Sequence, residues 1–396
     1  MITNYINSSG IDLGNILVPK SYLIDRYPDL AAQFKFAGLW LWGYNNTFYG
    51  QLGDNTTTSK SSPVQISGGG YNWKLIAAGN YTTAAIKTDG TLWTWGSYVG
   101  DGTTVSKSSP ILIYGGSTDW KDVKIYNSHA IAIKTDGTLW TWGSNGYGQL
   151  GIDNRTDRTT PVQTIVGGTD WRSVSVGKNF SASIKIDGTL WTWGRNNNGQ
   201  LGDNTIVNKS SPIPVSGGGT NWKLISCGQY HTAAIKTDGT LWLWGDNNSG
   251  QLGDNTLVDK YTPVQISGGG TNWKLVSGGK YHTAAIKTDG TLWLWGDNNS
   301  GKLGDNTTTG KSTPIQTISV GTNWNTVVTG LDITAAIKTD GTLWLWGKNN
   351  YGQLGNNTTS YKSTPIQTIS AGVNWKLIAC TGDHIAAIRD EYDNLI

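Results

Sequence analysis

The sequence is poor in cysteine, methionine and phenylalanine, and charged residues make up only 14% of its 396 residues. Its two cysteines cannot build a disulfide scaffold. No apolar run approaches the roughly 18 residues of a membrane-spanning helix, and no basic segment precedes a long apolar stretch at the start of the chain. We therefore expect no disulfide-rich fold, no membrane insertion and no signal peptide.

Glycine and tryptophan are abundant instead, with 54 and 21 residues. Such a glycine content disfavours long helices, because each interior glycine costs roughly 0.5–1 kcal/mol in a helix, and the aromatic content disfavours disorder. The formal net charge is only +3. Because aspartates recur beside the recurring cations, we expect a nearly neutral, solvated surface and no nucleic-acid partner.

Two short strings repeat along the chain and contain every tryptophan. Leu-Trp-x-Trp-Gly occurs seven times, and so does Asn/Asp-Trp, which together account for all 21 tryptophans. The spacing between successive Leu-Trp-x-Trp-Gly strings is 53, 47 and then four times 51 residues. A fixed period of this length indicates a repeat architecture. We interpret the tryptophans as scaffold residues rather than as a ligand cage.

Each repeat unit has the pattern of four short strands. In the unit that starts at Trp222, alternation in 240–244 puts both tryptophans on one face and both leucines on the other. A strand that is apolar on both faces is buried on both faces, and the Asp238-Gly239 pair predicts a hairpin turn. We expect the fourth strand at 263–266. One such sheet cannot bury itself, so the pattern predicts an all-β propeller with seven four-stranded blades.

The order of the strings predicts how the ring closes. The chain enters the repeat at residue 38 in a third strand and leaves it at 374–389 with first and second strands. We therefore expect a seventh blade shared by both chain ends, which removes an open sheet edge. The predicted domains are an arm over 1–37, a propeller over 38–390 and a tail over 391–396.

The combined motifs resemble a known family. Gly-x-Leu-Trp-x-Trp-Gly, Asn-x-x-Gly-Gln-Leu-Gly (as in 145–151), Pro-x-x-Ile and Gly-x-x-His-Thr-Ala-Ala-Ile are similar to RCC1-type repeats, and the likeness covers 38–390. The resemblance implies a seven-bladed propeller. The family includes a guanine-nucleotide exchange factor on chromatin, inhibitors of β-lactamases, and phage and bacterial proteins, so the fold alone implies no single activity. The near-identical repeats and the arm's few cations speak against the exchange factor.

Histidine and cysteine occupy repeated positions. The four histidines lie nine residues after an Asn/Asp-Trp tryptophan, and only two of their blades are adjacent: His129, His231, His282 and His384. Because a zinc site needs three or four converging ligands, we expect structural hydrogen bonds and no metal. Cys227 and Cys380 lie three units apart, so we expect free, buried thiols.

One loop position carries a cation in every blade: Lys60, Lys107, Arg158, Lys209, Lys260, Lys311 and Lys362. Such a ring on one rim would attract an anionic glycan, lipopolysaccharide or phosphate backbone. The alternative is a solubilising surface with aspartates nearby, such as Asp54, Asp203, Asp254 and Asp305.

Catalytic motifs are absent from the sequence. Five residues stand between Gly304 and Gly-Lys-Ser, rather than the four of a phosphate loop, and no helix is predicted after it. No nucleophile elbow or Ser-His-Asp set occurs, and the Asp-Gly aspartates fit turns. We expect no enzymatic activity and no cofactor.

The arm differs from the repeats, and we expect it to anchor the protein. A short helix is predicted over 28–34, and its aliphatic and aromatic residues are the candidate anchors: Ile16, Leu17, Val18, Tyr22, Leu23, Ile24, Tyr27 and Phe34. Residues 19–28 resemble N-terminal segments of structural proteins in tailed cyanophages. This predicts a protein of the virion exterior, made in the host cytoplasm.

We predict a component of the tail, tail fibre or baseplate, or a capsid decoration. Its arm would bind other virion proteins, and its propeller would bind a host-surface glycan or protein, with oligomerisation in the assembly. The alternatives are a bacterial binding module such as an enzyme inhibitor, and a GTPase regulator.

Overall fold

The computed structural model describes residues 35–392 apart from 67–69, 319–320, 370–372 and 381, together with 6–7, 10–12 and 17–18. All elements assigned among these residues are strands. Three short strands, Ile6–Asn7, Gly10–Asp12 and Leu17–Val18, pair in that order in a small sheet. The remaining 28 strands form seven antiparallel four-stranded sheets. The predicted all-β propeller with seven four-stranded blades is confirmed.

We number the blades 1 to 7 by their first strand and call their strands a to d from the centre outward. Strands a are Trp73–Ala78, Trp120–Tyr126, Trp171–Gly177, Trp222–Cys227, Trp273–Gly278, Trp324–Thr329 and Trp375–Cys380. Strands b are Thr82–Lys87, His129–Lys134, Phe180–Lys185, His231–Lys236, His282–Lys287, Ile333–Lys338 and His384–Tyr392. Strands c are Leu92–Gly96, Leu139–Gly143, Leu190–Gly194, Leu241–Gly245, Leu292–Gly296, Leu343–Gly347 and Lys35–Gly43. Strands d are Lys107–Leu112, Arg158–Gln163, Lys209–Pro214, Lys260–Gln265, Lys311–Gln316, Lys362–Gln367 and Lys60–Gln65.

Both ends of the chain build blade 7. Its strands a and b come from the C-terminal end, and its strands c and d from the N-terminal side of the repeats. Strand b pairs with strand c from His384 opposite Gly43 to Tyr392 opposite Lys35. Strand c therefore begins at Lys35 rather than at residue 38, and strand b runs past residue 390 to Tyr392.

Strand d starts earlier than predicted in each blade. In blade 4 it begins at Lys260 rather than at Pro263, because Lys260 pairs with Gly245 across a register shift. The shift is a bulge that lets the long loop between strands c and d rejoin the sheet. The cation predicted to lie in a loop is therefore the first residue of the outermost strand.

Across the described residues, the core consists of seven clusters that lie between neighbouring blades. In one of them Leu241 and Leu243 of blade 4 pack against Trp273 and Trp295 of blade 5. The leucine face of one strand c thus packs against the tryptophans of the next blade, as the alternation of leucine and tryptophan along strand c predicts. Because every blade depends on two neighbours for burial, the ring is stable only when closed.

The hairpin between strands b and c requires glycine, because its neighbour is backbone from the next blade. Gly239 has φ +80°, and a Cβ built on it would lie 2.0 Å from the carbonyl oxygen of Thr271. We predict that Gly239→Ala lowers the free energy of unfolding by about 3 kcal/mol, through left-handed strain and overlap. Urea denaturation measures this. Gly146→Ala is the control, since no atom lies within 4 Å of its Cβ position; an equal loss in both variants would contradict the prediction.

Candidate functional site

Three positions per blade differ between blades although the strands around them are near copies. They are the two residues before strand b and the residue after strand c. We call these residues the variable face. Its members are Asn80, Tyr81 and Ser97; Asn127, Ser128 and Ser144; Lys178, Asn179 and Arg195; Gln229, Tyr230 and Asp246; Lys280, Tyr281 and Asp297; Leu331, Asp332 and Lys348; and Gly382, Asp383 and Tyr44.

Backbone hydrogen bonds bring these positions together in each blade. The residue after strand c donates its N–H to the carbonyl of the residue before strand b, as Arg195 does to Asn179 at 2.8 Å and Asp246 does to Tyr230 at 3.0 Å. The same bond occurs in all seven blades. The variable positions therefore line one face of the disc around its centre. The sequence predictions missed this face because they followed what the repeats share; aligning the repeats to find where they differ would have found it.

Blades 3 to 5 make one side of this face aromatic and basic. The rings of Tyr230 and Tyr281 stack with centroids 6.0 Å apart. Lys178 donates its Nζ proton to the Tyr230 hydroxyl at 2.9 Å. The Arg195 guanidinium lies 5.5 Å from the Tyr147 ring and 5.4 Å from the Tyr230 ring. These contacts hold both cations in place across blade boundaries.

Blades 5 to 7 make the other side a row of alternating charges. Lys302 is fully buried, and its Nζ lies 2.5 Å from Asp297 and 2.6 Å from Asp332. Lys348 lies 3.5 Å from Asp383. Burial raises the pKa of Asp383, an effect that Lys348 partly opposes. Two of these pairs join neighbouring blades, so the charges also fix the blades relative to one another.

We expect the buried ion pairs of Lys302 to contribute far more to stability than the surface ion pair of Lys311. We expect Lys302→Met to lower the free energy of unfolding by about 3 kcal/mol, because it leaves Asp297 and Asp332 without their cation. Lys311→Met is the control, since its ion pair with Asp305 spans 4.0 Å at the surface, and exposed pairs contribute under about 1 kcal/mol. Thermal and urea unfolding measure both variants. Equal losses would show that the buried triad adds no specific stability.

Tyrosines from three blades gather near Asp383. The Tyr44 and Tyr351 rings lie 4.4 Å apart, and the Tyr49 and Tyr81 rings 4.9 Å apart. Burial raises the pKa of Tyr81, and the neighbouring tyrosines and Asp383 raise it further. Aromatic groups that expose part of their rings are typical of protein-binding hot spots.

The channel along the centre of the ring is an apolar cavity of about 350 Å³, lined by strands a of all seven blades. Cys227 and Cys380 are buried free thiols that line it. Burial raises the pKa of Cys227 to about 12 and raises that of Cys380 as well. Both thiols therefore remain protonated and unreactive at neutral pH.

Tyr126 occupies the position just before the variable face in blade 2, where five other blades have Gly79, Gly177, Gly228, Gly279 and Gly330. Its side chain is buried, and among the described residues its hydroxyl has no hydrogen-bond partner. Burial raises its pKa, with smaller contributions from Tyr230, Tyr281 and Asp332. Tyr126 therefore lines the central channel at the end nearest the variable face.

The four predicted histidines lie between blades. His231 Nε2 is 2.9 Å from the Thr283 hydroxyl of the next blade, and that hydroxyl donates to the Gln251 carbonyl. The same carbonyl accepts the Trp295 indole N–H. Because the Thr283 hydroxyl proton is already donated to the Gln251 carbonyl, the His231 Nε2 atom must carry the proton of the hydrogen bond between His231 and Thr283. The equivalent contacts join His129 to Ser181, His282 to Thr334 and His384 to Thr83.

Burial keeps these imidazoles neutral. It lowers the pKa of His129 and His384 to about 4 and that of His231 to about 3. Burial also lowers the pKa of His282, and the nearby Lys302 lowers it further. Among the described residues, no three His, Cys, Asp or Glu side chains converge as metal ligands would.

The predicted rim cations begin strands d, and most have a carboxylate in the same loop. Nζ–carboxylate distances are 3.3–4.0 Å in five ion pairs, Lys60–Asp54, Lys107–Asp101, Lys209–Asp203, Lys260–Asp254 and Lys311–Asp305. Arg158 and Lys362 have Ile152 and Asn356 at the aspartate position. The pairing leaves the rim with little net charge for an anionic ligand.

The tryptophans serve the scaffold. In each blade one cation of strand b lies over two indoles, as Lys236 does over Trp222 at 4.8 Å and Trp242 at 4.4 Å. The aspartates of the b–c turns accept hydrogen bonds within the turn, as Asp238 does from Thr240. These residues are explained by the fold.

The arm over 1–37, which we predicted to be an anchor, lies mostly outside the described residues. This applies to Ile16, Tyr22, Leu23, Ile24, Tyr27, Phe34 and the helix predicted over 28–34. Leu17 and Val18 form a short strand. No helix in the described part of the chain has the length and apolarity to span a membrane.

The chain matches several proteins of one family. The RCC1-like domain matches residues 33–277, and RCC1 repeats match 289–337 and 340–388. This chain is 29% identical over 225 residues to the ultraviolet-B receptor UVR8 of Arabidopsis thaliana. The match covers 56% of this chain and 51% of UVR8, so the matched region spans about half the length of that relative. The crystal structure of human WBSCR16 has a TM-score of 0.79 at 19% identity, covering 89% of this chain and 98% of that one. Yeast RCC1 (Prp20) bound to Kap60 has a TM-score of 0.78 at 17% identity, covering 93% of each chain.

Proposed function

Because this chain belongs to the RCC1-like domain family, we propose that it is a non-enzymatic protein-binding module whose binding surface is the variable face. Near-identical strands build a rigid ring, and the differences between blades concentrate where the ring presents side chains around its centre. A repeated scaffold with a differentiated face is suited to recognising one partner in one orientation.

One observation carries this proposal. The variable face combines stacked tyrosines, an arginine held between two rings and buried or half-buried ion pairs, whereas the b–c turns on the opposite face repeat the same Asp-Gly-Thr in six blades. Tyrosine and arginine are enriched in binding hot spots. Preordered side chains also reduce the entropy lost on binding.

Site-specific photo-crosslinking tests the face. A photoreactive residue at Tyr281 should yield a defined covalent adduct with a protein from the source cell, whereas the same residue at Lys274, which is exposed near the opposite face, should not. Mass spectrometry identifies the adduct. Adducts that form equally from both positions, or only from Lys274, would contradict the proposal.

A virion role is the finer proposal, and it is supported by the motif at 19–28. In it the arm anchors the propeller to other virion proteins, and the disc displays the variable face. Mass spectrometry of purified particles tests this role, and a chain starting at Lys35 should fold but fail to enter particles. Particles that lack the protein, or that incorporate the armless chain normally, would contradict it.

A further inference from the structure

Three cations of the variable face have no carboxylate partner within 4.0 Å in the part of the chain that the structure describes. Of its four cations, Lys348 pairs with Asp383. No ion pair within 4.0 Å joins Lys178, Arg195 or Lys280 to another described residue; each lies over a tyrosine ring instead. All three surround the stacked Tyr230 and Tyr281. This sector of the face therefore has positive charge available to a ligand, unlike the rim.

Arg195 is held for an external acceptor. Its guanidinium lies between Tyr147 of blade 2 and Tyr230 of blade 4, and its Nε is buried without a hydrogen-bond acceptor among the described residues. Ring faces stabilise the charge but leave the in-plane N–H donors unused. A carboxylate is the acceptor that matches two parallel guanidinium donors.

A pocket of about 320 Å³ lies beside this arginine. It is lined by Arg195, Asn198, Tyr230, Asn248, Ser249 and Tyr281, together with Asp246. The Asp246 oxygens accept hydrogen bonds from Asn248 and Gln251, both at 2.6 Å, and burial raises its pKa. Asp246 is thus occupied within its own loop, and the pocket offers a ligand cationic, amide and hydroxyl donors.

Blades 3 and 4, which supply most of the residues that line this pocket, also expose aliphatic side chains on their c–d loops. Ile206 and Val207 of blade 3 are 55% and 59% exposed, and Leu257 and Val258 of blade 4 are 59% and 63% exposed. Blade 5 has Thr308-Thr309 at these positions. A hydrogen bond of 3.5 Å from Asn198 to Asp259 connects the pocket with this loop of blade 4. Charge and apolar surface therefore coincide on blades 3 and 4.

We propose that an acidic segment of a partner protein docks across blades 3 to 5, with a carboxylate on Arg195 and an apolar side chain on the aliphatic loops. This inference rests on the proposed function and specifies the partner's chemistry. A sulfated or carboxylated glycan would satisfy the cations but not the aliphatic pairs. A nucleic acid would meet the carboxylates of Asp246 and Asp297 beside only three cations.

A random library of twelve-residue peptides, displayed and selected against the full-length chain, tests the proposal. We expect enrichment of peptides that combine Asp or Glu with Leu, Ile or Phe. Fluorescence anisotropy of a selected peptide should show at least tenfold weaker binding to Arg195→Gln. Higher salt should weaken binding to the wild-type chain. Lys223→Gln is the matched control, since Lys223 is exposed on strand a of blade 4 near the opposite face. The affinity of this variant for the peptide should stay within twofold of the wild-type value.

A second variant tests the apolar part without disturbing the core. Replacing 206–207 and 257–258 by Thr-Thr, as blade 5 has naturally, should weaken the same peptide about tenfold and leave the melting temperature unchanged. Selected peptides without acidic residues, affinity that is insensitive to Arg195→Gln, or no peptide at micromolar affinity would overturn the acidic partner. If non-acidic peptides are selected and lose binding on Tyr281→Ala, the variable face survives as the binding surface. If all selected peptides bind elsewhere, both proposals fail.

Discussion

A chain that lacks residues 374–396 is expected to lose its cooperative unfolding transition. The deletion removes strands a and b of blade 7, and with them the buried partners of Trp42, which is 0% exposed and donates its indole N–H to the Gln353 carbonyl at 3.0 Å. Two of the seven interblade clusters lose members, including Trp375 and Ile385. Removing one buried tryptophan side chain costs about 3–5 kcal/mol, and a domain is stable by only about 5–15 kcal/mol.

Calorimetry and near-ultraviolet circular dichroism measure this loss, and a circular permutant is the control. Tyr392 lies opposite Lys35 in the b–c ladder of blade 7, so a two-residue Asn-Gly turn can join them, with new ends opened between 66 and 70. The permutant keeps every propeller strand and should unfold cooperatively. If the truncated chain melts as sharply as the full chain, the shared blade does not close the ring.

The ring could be predicted from the sequence because strand c of four blades is apolar on both faces, as in blade 4. Leu241 and Leu243 need one partner sheet, and Trp242 and Trp244 need another, and only a closed ring supplies both to every blade. The repeat spacing then fixes the number of blades. The order of the strings also gives the shared blade, because complementary halves stand at the two ends of the repeat.

The start of strand d and the charge state of the rim could not be predicted in the same way. Both depend on how the c–d loop folds: the bulge at Gly245 draws Lys260 into the sheet, and the returning loop brings Asp254 within 3.4 Å of it. A spacing of six residues in a glycine-rich loop does not specify that contact. The unpaired state of Arg195 is equally hidden, because its ring partners come from two other blades.

Acidification from pH 6.5 to pH 4 is expected to unfold the propeller. An unfolded histidine titrates near 6.5, whereas the pKa of His129 and His384 falls to about 4 and that of His231 to about 3. The unfolded chain therefore binds protons in this window that the folded chain does not, so stability falls as the pH falls. Each of these histidines contributes a loss of about 3 kcal/mol by pH 4. Together they approach the whole stability of a typical domain.

The carboxylates with a shifted pKa do not cause a loss of stability between pH 6.5 and pH 4. The turn aspartates, such as Asp238, have a pKa lowered by hydrogen bonds from the threonine two residues on, so their loss of stability comes below pH 4. Burial raises the pKa of Asp246 and Asp383, which opposes acid unfolding. A fall in stability between pH 6.5 and pH 4 therefore comes from the histidines rather than from these carboxylates.

The chain itself supplies the control for this pH dependence. Phe180 occupies the histidine position in blade 3, where Thr232 of the next blade still donates to the Gln200 carbonyl at 2.8 Å. His231→Phe should keep the equivalent Thr283 bond and remove one titrating group. Urea unfolding at pH 7, 6, 5 and 4 should then show about one proton fewer taken up on unfolding, and adding His129→Phe should remove a second. A slope that is unchanged in both variants would show that other groups cause the acid sensitivity, and that the buried imidazoles are not held neutral by the ring.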